Sequence, residues 1–347
     1  MRKGILVLLL VLFLVPSSFA TLTKLYTMGA YGFDAYTGYA AGTFVYMKDD
    51  ANLRIWPQLI TEYPGLLLYE HPNYDWGYYG AGGITWGFGA NDVVGLFVSN
   101  DYYSMFDFYP YDKFTLIYGH NFDNFKLGFA FNWAGDKYET EDAWPYYDGT
   151  YEEKISIMAF TGGATFNVGE GHSVDLAATY KKTSFSVDSS STEFVKSDAG
   201  TTFDVVARFN YQFNEKTRLV PAFEFLTEKI GYRDVFGGGD TTDYSHNLFH
   251  IGIGCNYKPH DKVELINALG MVIDKNKWED LASDETGNTT YNTLPYFMLG
   301  ADINLKSWLN LRFGLNKWLT TYKYEYEDTY PYSYKYGDSD FDYVVGA

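Results

Sequence analysis

Most of the chain alternates apolar residues with polar or small residues, and this pattern limits the fold more than any other feature. From Phe203 to Phe213 every second residue is apolar, while Asp204, Arg208 and Asn210 lie between them. A period of two is that of a β-strand, because successive side chains point to opposite faces. Further copies begin near Gly80, Val93, Phe114, Phe125, Ile155, Val174, Leu219, Leu248, Val263, Leu294, Leu309 and Phe341, and a short one spans Leu66 to Tyr69. The pattern predicts about 14 strands.

The connections between these segments alternate between tight turns, such as Asn214 to Lys216, and long acidic stretches rich in tyrosine. The predicted long loops are Gly135 to Glu153, Val187 to Thr201, Gly231 to Asn247, Asp274 to Asn292 and Glu325 to Asp340. A soluble sandwich or propeller is the alternative, but its outward faces should be polar, not rows of Phe and Leu. The pattern therefore predicts an all-β fold, a transmembrane antiparallel β-barrel over residues 63–347.

The register of two neighbouring strands follows if residues 306–308 form a tight turn. Opposed residues of antiparallel strands share a face, so Asp302 and Arg312 should form a charge pair inside the barrel. The expected lipid-facing pairs are Leu305 with Leu309, Ile303 with Leu311, Ala301 with Phe313, and Leu299 with Leu315.

The two ends of the chain each allow a separate prediction. Residues 1–20 combine a basic start at Arg2 and Lys3, an apolar run from Ile5 to Val15 and a small-x-small site ending at Ala20. This arrangement predicts a signal peptide and export, since an apolar run of eleven residues is too short for a membrane anchor. We expect the bacterial outer membrane as the destination. The last predicted strand stops at Ala347 without a terminal aromatic residue, so we expect it to be truncated by a few residues.

Charge and motif content exclude several functions. Asp and Glu outnumber Lys and Arg by 44 to 26, and a net charge of −18 argues against nucleic-acid binding. The sequence contains no G-x-S-x-G, H-E-x-x-H or P-loop motif, so we expect no enzyme activity and no cofactor. His246 and His250 share a strand face at about 13 Å, too far apart for one metal ion. We expect no metal site.

The predicted interior face of the barrel is mixed in polarity. His250, Glu224 and Glu264 share it with the apolar residues Leu226, Ile266, Val272, Leu294, Tyr296 and Met298. A water-filled porin would favour charge at these positions, whereas a mixed lining suits an amphipathic ligand. A lumen that is simply plugged and packed remains the alternative.

Residues 21–62 precede the first strand and break the alternation, which predicts a compact plug. They contain Asp49-Asp50-Ala51-Asn52, then four residues, then Trp56-Pro57-Gln58-Leu59-Ile60. This region resembles the hatch of the long-chain fatty-acid outer-membrane transporter family, which carries Asp-Asp-Ala-Ser followed by Asn-Pro-Ala-Leu at comparable spacing. Here Asn52 replaces the Ser, Trp56 the Asn and Gln58 the Ala. The candidate hatch residues are Asp49, Asp50, Asn52, Trp56, Pro57 and Leu59.

The resemblance implies passive uptake of hydrophobic compounds such as long-chain fatty acids, by capture outside, passage beside the hatch and lateral escape. Arg208 and Arg312 could pair with a ligand carboxylate, or they could form salt bridges with Glu224 and Asp302. The candidate ligand-binding residues are Arg208, Leu226, His250, Tyr296, Met298 and Arg312. Expected partners are outer-membrane lipids, lipopolysaccharide, hydrophobic small molecules and the barrel insertion machinery. A non-specific porin, or a scaffold or binding barrel in an envelope or secretion assembly, is the alternative.

We predict that processing removes residues 1–20 and that the mature chain runs faster on a detergent gel before heating than after it. Closed barrels resist detergent until they are heated. N-terminal sequencing of the outer-membrane fraction tests both points. Recovery of the protein from the soluble periplasm would contradict the prediction.

Overall fold

The computed structural model describes residues 45–47, 50–70, 80–100, 113–140, 151–189, 192–234, 240–280, 285–306, 309–327 and 331–346. The predicted signal peptide, residues 21–44 and Asp49 lie outside this part of the chain. Fourteen antiparallel strands form one sheet in which each strand pairs with its neighbours in sequence. The prediction of an all-β fold with 14 antiparallel strands is confirmed.

The strands are β1 (Leu67–Glu70), β2 (Gly80–Phe88), β3 (Asp92–Asn100), β4 (Lys113–Asn121), β5 (Phe125–Thr140), β6 (Tyr151–Gly169), β7 (His172–Ser189), β8 (Thr192–Asn214), β9 (Thr217–Asp234), β10 (Asp240–His260), β11 (Val263–Asp280), β12 (Glu285–Lys306), β13 (Leu309–Glu327) and β14 (Tyr332–Gly346). Two short 3₁₀ helices, Asp50–Arg54 and Pro57–Glu62, precede β1. Within the described ranges, no helix is both long and apolar enough to cross a membrane.

The strands run much further than the sequence predicted. β8 has 23 residues and β12 has 22, whereas a strand needs only about 9–11 residues to cross a bilayer. Four of the five predicted long loops are therefore wrong over most of their length, and the fifth, Gly135 to Glu153, is wrong at residues 135–140 and 151–153. Of residues 274–292, for example, 274–280 and 285–292 lie in strands, and 281–284 lie outside the described residues. These stretches are polar on both faces, so an apolar alternation cannot reveal them, but their Thr and Tyr residues favour extended backbone.

The two faces of the sheet differ in chemistry. On β8, Thr202, Asp204 and Arg208 are buried, while Phe203 and Phe213 on the opposite face are exposed by 45% and 63%. The same division recurs along the sheet. We call the buried side the inner face and the other side the outer face. An uncovered outer face of Phe, Leu and Ile suits lipid, and it is the surface that a transmembrane barrel requires.

The predicted register of β12 and β13 is confirmed for the charge pair and for three of the four lipid-facing pairs. Asp302 opposes Arg312, and the remaining pairs are Leu299 with Leu315, Gly300 with Gly314, Ala301 with Phe313, Ile303 with Leu311, and Asn304 with Asn310. The pairing of Leu305 with Leu309 is wrong, because an irregularity after Asn304 makes Lys306 the partner of Leu309.

A second irregularity overturns the placement of Leu294 on the inner face. The register of β12 shifts between Thr293 and Tyr296 relative to both neighbouring strands. Thr293 and Tyr296 are both buried, while Leu294 is 63% exposed. A bulge moves the alternation by one residue, so the strict period of two cannot be carried across this point.

Residues 45–47 and 50–62, which we call the interior segment, show that the sheet is curved. Ile60 reaches β3 and β4 at Gly95 and Gly119, while Tyr46 reaches β10 and β12. In a flat sheet β3 and β12 would lie about 43 Å apart, so the sheet must wrap around the segment as a barrel wall. Among the described residues, no backbone pairing joins β1 to β14.

We predict that Leu299→Lys lowers the free energy of unfolding in lipid by about 2–4 kcal/mol, because it places a charge on the outer face close to the membrane centre. Asn288→Lys, on the same face of the same strand but far from the turn, should cost less than about 1 kcal/mol. Urea unfolding in phospholipid vesicles measures both. Equal costs would contradict this placement of the membrane.

Candidate functional site in the barrel interior

The interior segment is the best buried part of the described chain. Tyr46, Trp56 and Ile60 have no exposed surface, and Leu59 is 1% exposed. The second 3₁₀ helix, with Pro57 at its start, carries Leu59 and Ile60 past β3, β4, β5 and β6. A fixed backbone angle at proline favours such a helix start. The segment therefore fills the space that the inner face encloses.

A polar cluster joins the segment to β9, β10 and β12 around Tyr46. The Tyr46 hydroxyl is 3.0 Å from His250 Nε2 and also contacts the Tyr296 hydroxyl, which is 2.7 Å from His250 Nε2. On the other side of the ring, His250 Nδ1 faces Glu224 Oε2 at 3.5 Å. Burial raises the pKa of the Tyr46 hydroxyl well above its usual range, because charge is disfavoured away from water. The hydroxyl is thus a neutral hydrogen-bonding group.

Arg208 on β8 makes the second polar attachment. Its Nη1 donates to the carbonyl oxygens of Val45 at 2.8 Å and Met47 at 2.6 Å, and its Nε donates to Asp175 Oδ2 at 2.6 Å. The guanidinium also lies 4.6 Å from the centre of the Trp56 ring. One side chain therefore binds both parts of the interior segment, and its charge is balanced by Asp175. Such buried, charge-assisted hydrogen bonds are stronger than neutral ones.

Inner-face glycines provide the room for the segment. A Cβ atom at Gly95 would lie 2.6 Å from Ile60 Cδ1, and one at Gly119 would lie 2.5 Å from Ile60 Cγ2. At Gly128 it would overlap the backbone of Pro57 and Gln58, and at Gly163 the side chain of Gln58. Gly252 and Gly254 make the same allowance for Tyr46. These glycines mark close approach between the segment and the wall.

Further charges of the inner face are paired within the wall. Lys181 Nζ lies 3.0 Å from Glu228 Oε1, with both side chains almost fully buried. Arg312 Nε lies 3.4 Å from Asp302 Oδ1, as the sequence predicted. The other predicted salt bridge, between Arg208 and Glu224, is wrong: Arg208 pairs with Asp175, and Glu224 faces His250.

Of the six candidate ligand-binding residues, five are buried on the inner face. Leu226, His250, Tyr296 and Met298 have no exposed surface, and Arg208 is 2% exposed. The side chain of Arg312 retains 14% exposure. The structure brings His250 and Tyr296 into contact with each other, whereas Arg208 belongs to the separate attachment around Val45 and Trp56. A ligand-binding role for these residues stays a prediction.

Of the candidate hatch residues, Asn52, Trp56, Pro57 and Leu59 are buried. Asp50 begins the first 3₁₀ helix, and Asp49 lies outside the described residues. Asn52 Nδ2 donates to the carbonyl oxygen of Met47 at 3.0 Å. This hydrogen bond links the two parts of the interior segment. That this region acts as a hatch with the boundaries 21–62 stays a prediction.

Sequence reasoning missed Tyr46, Gln58 and Asp175, as well as the inner-face glycines that receive them. Gln58 Nε2 donates to the carbonyl oxygen of Ala164 on β6 at 3.2 Å. Glycines at inner-face positions of consecutive strands are the sequence signal that could have located the contact between the interior segment and the wall. Gly95, Gly119, Gly128 and Gly163 occupy positions where the alternation calls for a side chain.

The part of the chain that the structure describes contains no group of three or more His, Cys, Asp or Glu side chains arranged to hold a metal ion. Cys255 is a free thiol and is partly exposed.

Comparison with known proteins identifies no family. No family model matches the chain, and no curated protein matches it. The alcaligin outer-membrane receptor FauA of Bordetella pertussis aligns with 80% of this chain and 60% of its own, at a TM-score of 0.43 and 8% identity. A mutant of the ferric enterobactin receptor PfeA of Pseudomonas aeruginosa aligns with 81% of this chain and 67% of its own, at a TM-score of 0.32 and 8% identity. Neither likeness assigns the chain to a family.

We predict that Gly128→Val displaces the interior segment, because its side chain would occupy the position of the Pro57 and Gln58 backbone. Overpacking of this kind costs about 1–3 kcal/mol, so the displaced population should rise by about fivefold to a hundredfold. Ion conductance in planar bilayers and protease cleavage within residues 50–62 should both increase. Gly162→Val is the control, since a Cβ atom there meets only Phe129 at 3.9 Å. Equal behaviour of the two variants would contradict the close contact between Gly128 and the interior segment.

Proposed function

We propose that this chain is a passive transporter of hydrophobic compounds, such as long-chain fatty acids, in the bacterial outer membrane. The exposed apolar outer face supports a position in lipid, and the paired strands satisfy the backbone hydrogen bonds that lipid cannot. The observation that carries the proposal is the interior segment, which touches the inner face from β3 to β12. A lumen occupied in this way requires movement before a solute can pass.

Apolar residues beside the segment favour a hydrophobic solute. Leu226, Leu248 and Met298 have no exposed surface, and Ile266 and Val272 are exposed by 3% and 4%. A hydrophobic molecule gains about 25 cal/mol for each Å² of apolar surface that leaves water. The same surface gives no advantage to ions or sugars. This lining supports a selective path over a general one.

The attachments of the segment are suited to a reversible displacement. Arg208 and Tyr46 hold it by hydrogen bonds, and no disulfide involves the described residues because the sequence has one cysteine. When the segment moves, these buried polar groups would need new partners, since leaving them unpaired is costly. An amphipathic ligand brings an apolar part for the lining and a polar head for these groups. Ligand entry and segment displacement would then support each other.

Arg312 is the better of the two arginines for a ligand carboxylate. Arg208 already binds Asp175 and two carbonyl groups of the interior segment. Arg312 pairs with Asp302 at 3.4 Å and its side chain remains partly exposed. A guanidinium has five donors in a planar fork, so it can bind a second carboxylate beside Asp302. We assign the ligand head group to Arg312 and a positioning role to Arg208.

A non-specific porin would have an open lumen, and a test must separate this alternative from gated transport. A Cβ atom at Gly254 would lie 2.9 Å from Tyr46 Cβ, and a disulfide needs about 3.5–4.5 Å. Tyr46→Cys combined with Gly254→Cys should therefore form a disulfide after a small shift, provided that Cys255→Ser removes the competing thiol. The disulfide fixes the segment to β10.

We predict that the oxidised double variant slows oleate uptake at least about tenfold, because the fixed segment lies in the path, and that a reductant restores it. The assay uses a Gram-negative host that lacks its own long-chain fatty-acid transporter. The same cells before and after reduction serve as the control. A folded, membrane-inserted protein that supports no oleate uptake in either state would exclude this function.

A further inference from the structure

Six tyrosines form one surface on the parts of β12, β13 and β14 that lie far from Lys306 and Leu309. The set, which we call the tyrosine face, consists of Tyr291, Tyr322, Tyr324, Tyr332, Tyr334 and Tyr336. The register aligns Tyr291, Tyr322 and Tyr336 in one row across β12, β13 and β14, and Tyr324 with Tyr334 in the next. By the alternation along β13, these positions share the inner face with Asn316, which is buried.

The rings contact one another continuously across the three strands. Tyr291 and Tyr322 have centroids 5.0 Å apart in an edge-to-face arrangement, and Tyr322 lies 4.7 Å from Tyr336. Tyr324 lies 5.3 Å from Tyr334 and 5.9 Å from Tyr332. These are favourable aromatic separations. The contacts fix the rings relative to each other, so little conformational freedom is left to lose when a ligand binds.

Four of the six rings, those of Tyr291, Tyr332, Tyr334 and Tyr336, are exposed to solvent, and Tyr322 and Tyr324 are half-buried. Tyr332, Tyr334 and Tyr336 are exposed by 53%, 47% and 52%, although tyrosines that serve packing alone bury most of their surface. Tyr296, on the inner face of β12 beside the interior segment, has no exposed surface. The tyrosine face is therefore an accessible aromatic surface on the inner side of the wall.

Charges around the tyrosine face are separated by sign. All four lysines of residues 274–280, 320–326 and 332–338 lie at odd positions, on the outer face: Lys275, Lys277, Lys323 and Lys335. Two of them pair with outer-face carboxylates, Lys277 with Glu279 at 2.9 Å and Lys323 with Glu325 at 2.7 Å.

The inner positions of these stretches, together with those of residues 285–291 on β12, hold acidic residues but no lysine or arginine residue. Asp274 and Asp280 lie on β11, Glu285 opposes Asp280 on β12, and Asp338 follows Tyr336 by two residues on β14. The histidine nearest to them in register, His246, is placed 3.0 Å from Asp274. The electrostatic potential on this side of the wall therefore favours positive charge.

We propose that the tyrosine face binds organic cations, in particular ligands with an alkylammonium group. The electron-rich ring faces attract a cation within about 6 Å, and the surrounding carboxylates raise its local concentration. A free carboxylate would be repelled. The proposal goes beyond the transport of hydrophobic compounds, because it concerns a second site on different strands and requires no movement of the interior segment.

The test compares two probes of matched shape. Choline carries a quaternary ammonium group, and 3,3-dimethylbutan-1-ol is its neutral carbon counterpart. Saturation-transfer NMR and isothermal titration with the full-length protein in a non-ionic detergent measure both. We expect saturable binding of choline, weaker binding of the neutral alcohol, and weakening of choline binding by added salt.

Two variants of β14 locate the site. Tyr334→Leu removes one ring of the tyrosine face and should reduce choline affinity by about threefold to thirtyfold. Tyr343→Leu is the matched control, since Tyr343 is 76% exposed on the outer face of the same strand, and it should leave affinity unchanged. Heat modifiability verifies folding of both. Absence of saturable choline binding, equal binding of the neutral alcohol, or equal effects of the two variants would overturn the proposal.

Discussion

Every feature of this molecule depends on the requirement that backbone amides and carbonyls find partners within the sheet. A chain in lipid has no water to satisfy these groups, so it must pair them strand by strand. Once the strands are paired, side chains can only point outward or inward, and the sequence must satisfy two different environments with a period of two. Phe203 and Asp204 illustrate the result, since these adjacent residues are 45% and 3% exposed. Many of the aromatic residues, which make up 20% of the chain, cover this large outer face, as Phe129, Phe160 and Phe213 do.

The inner face is organised by a second constraint, the close approach of a segment that is not part of the sheet. Glycines on β3, β4, β5 and β6 leave room for Ile60, Pro57 and Gln58 to contact the wall. Arg208 supplies the charge-assisted hydrogen bonds that orient the interior segment. Contact at these glycines requires a close match of shape, because any larger residue there would overlap the interior segment. The wall and the segment are therefore complementary surfaces, as the two sides of a protein interface are.

Much of the architecture could be predicted from the sequence, because alternation is a local property. The strand number, the pairing of Asp302 with Arg312 and the burial of Met298 follow from it. The bulge at Leu294 and Pro295 could not be read, because one inserted residue reverses the parity without changing composition. The ion-pair partner of Arg208 could not be predicted either. Asp175 lies 33 residues away in sequence, and whether Arg208 pairs with Asp175 or Glu224 depends on packing. The run Tyr322, Tyr324 and Tyr326 does alternate, but the outer-face residues between these tyrosines, Thr321, Lys323 and Glu325, are polar, so the apolar outer face that marks the other strands is missing.

The length of the strands has a mechanical consequence. At about 3.3 Å per residue and a tilt of about 40°, a strand as long as β8 rises about 58 Å, of which the hydrocarbon layer takes about 30 Å. Nearly half of β8 therefore stands outside the membrane, and the strands β6 to β13, of 18 to 23 residues each, extend beyond it as paired backbone rather than as separate loops. The described ends of these strands lie away from the lipid surface, so peptide tags inserted beside them should remain accessible to large reagents such as antibodies.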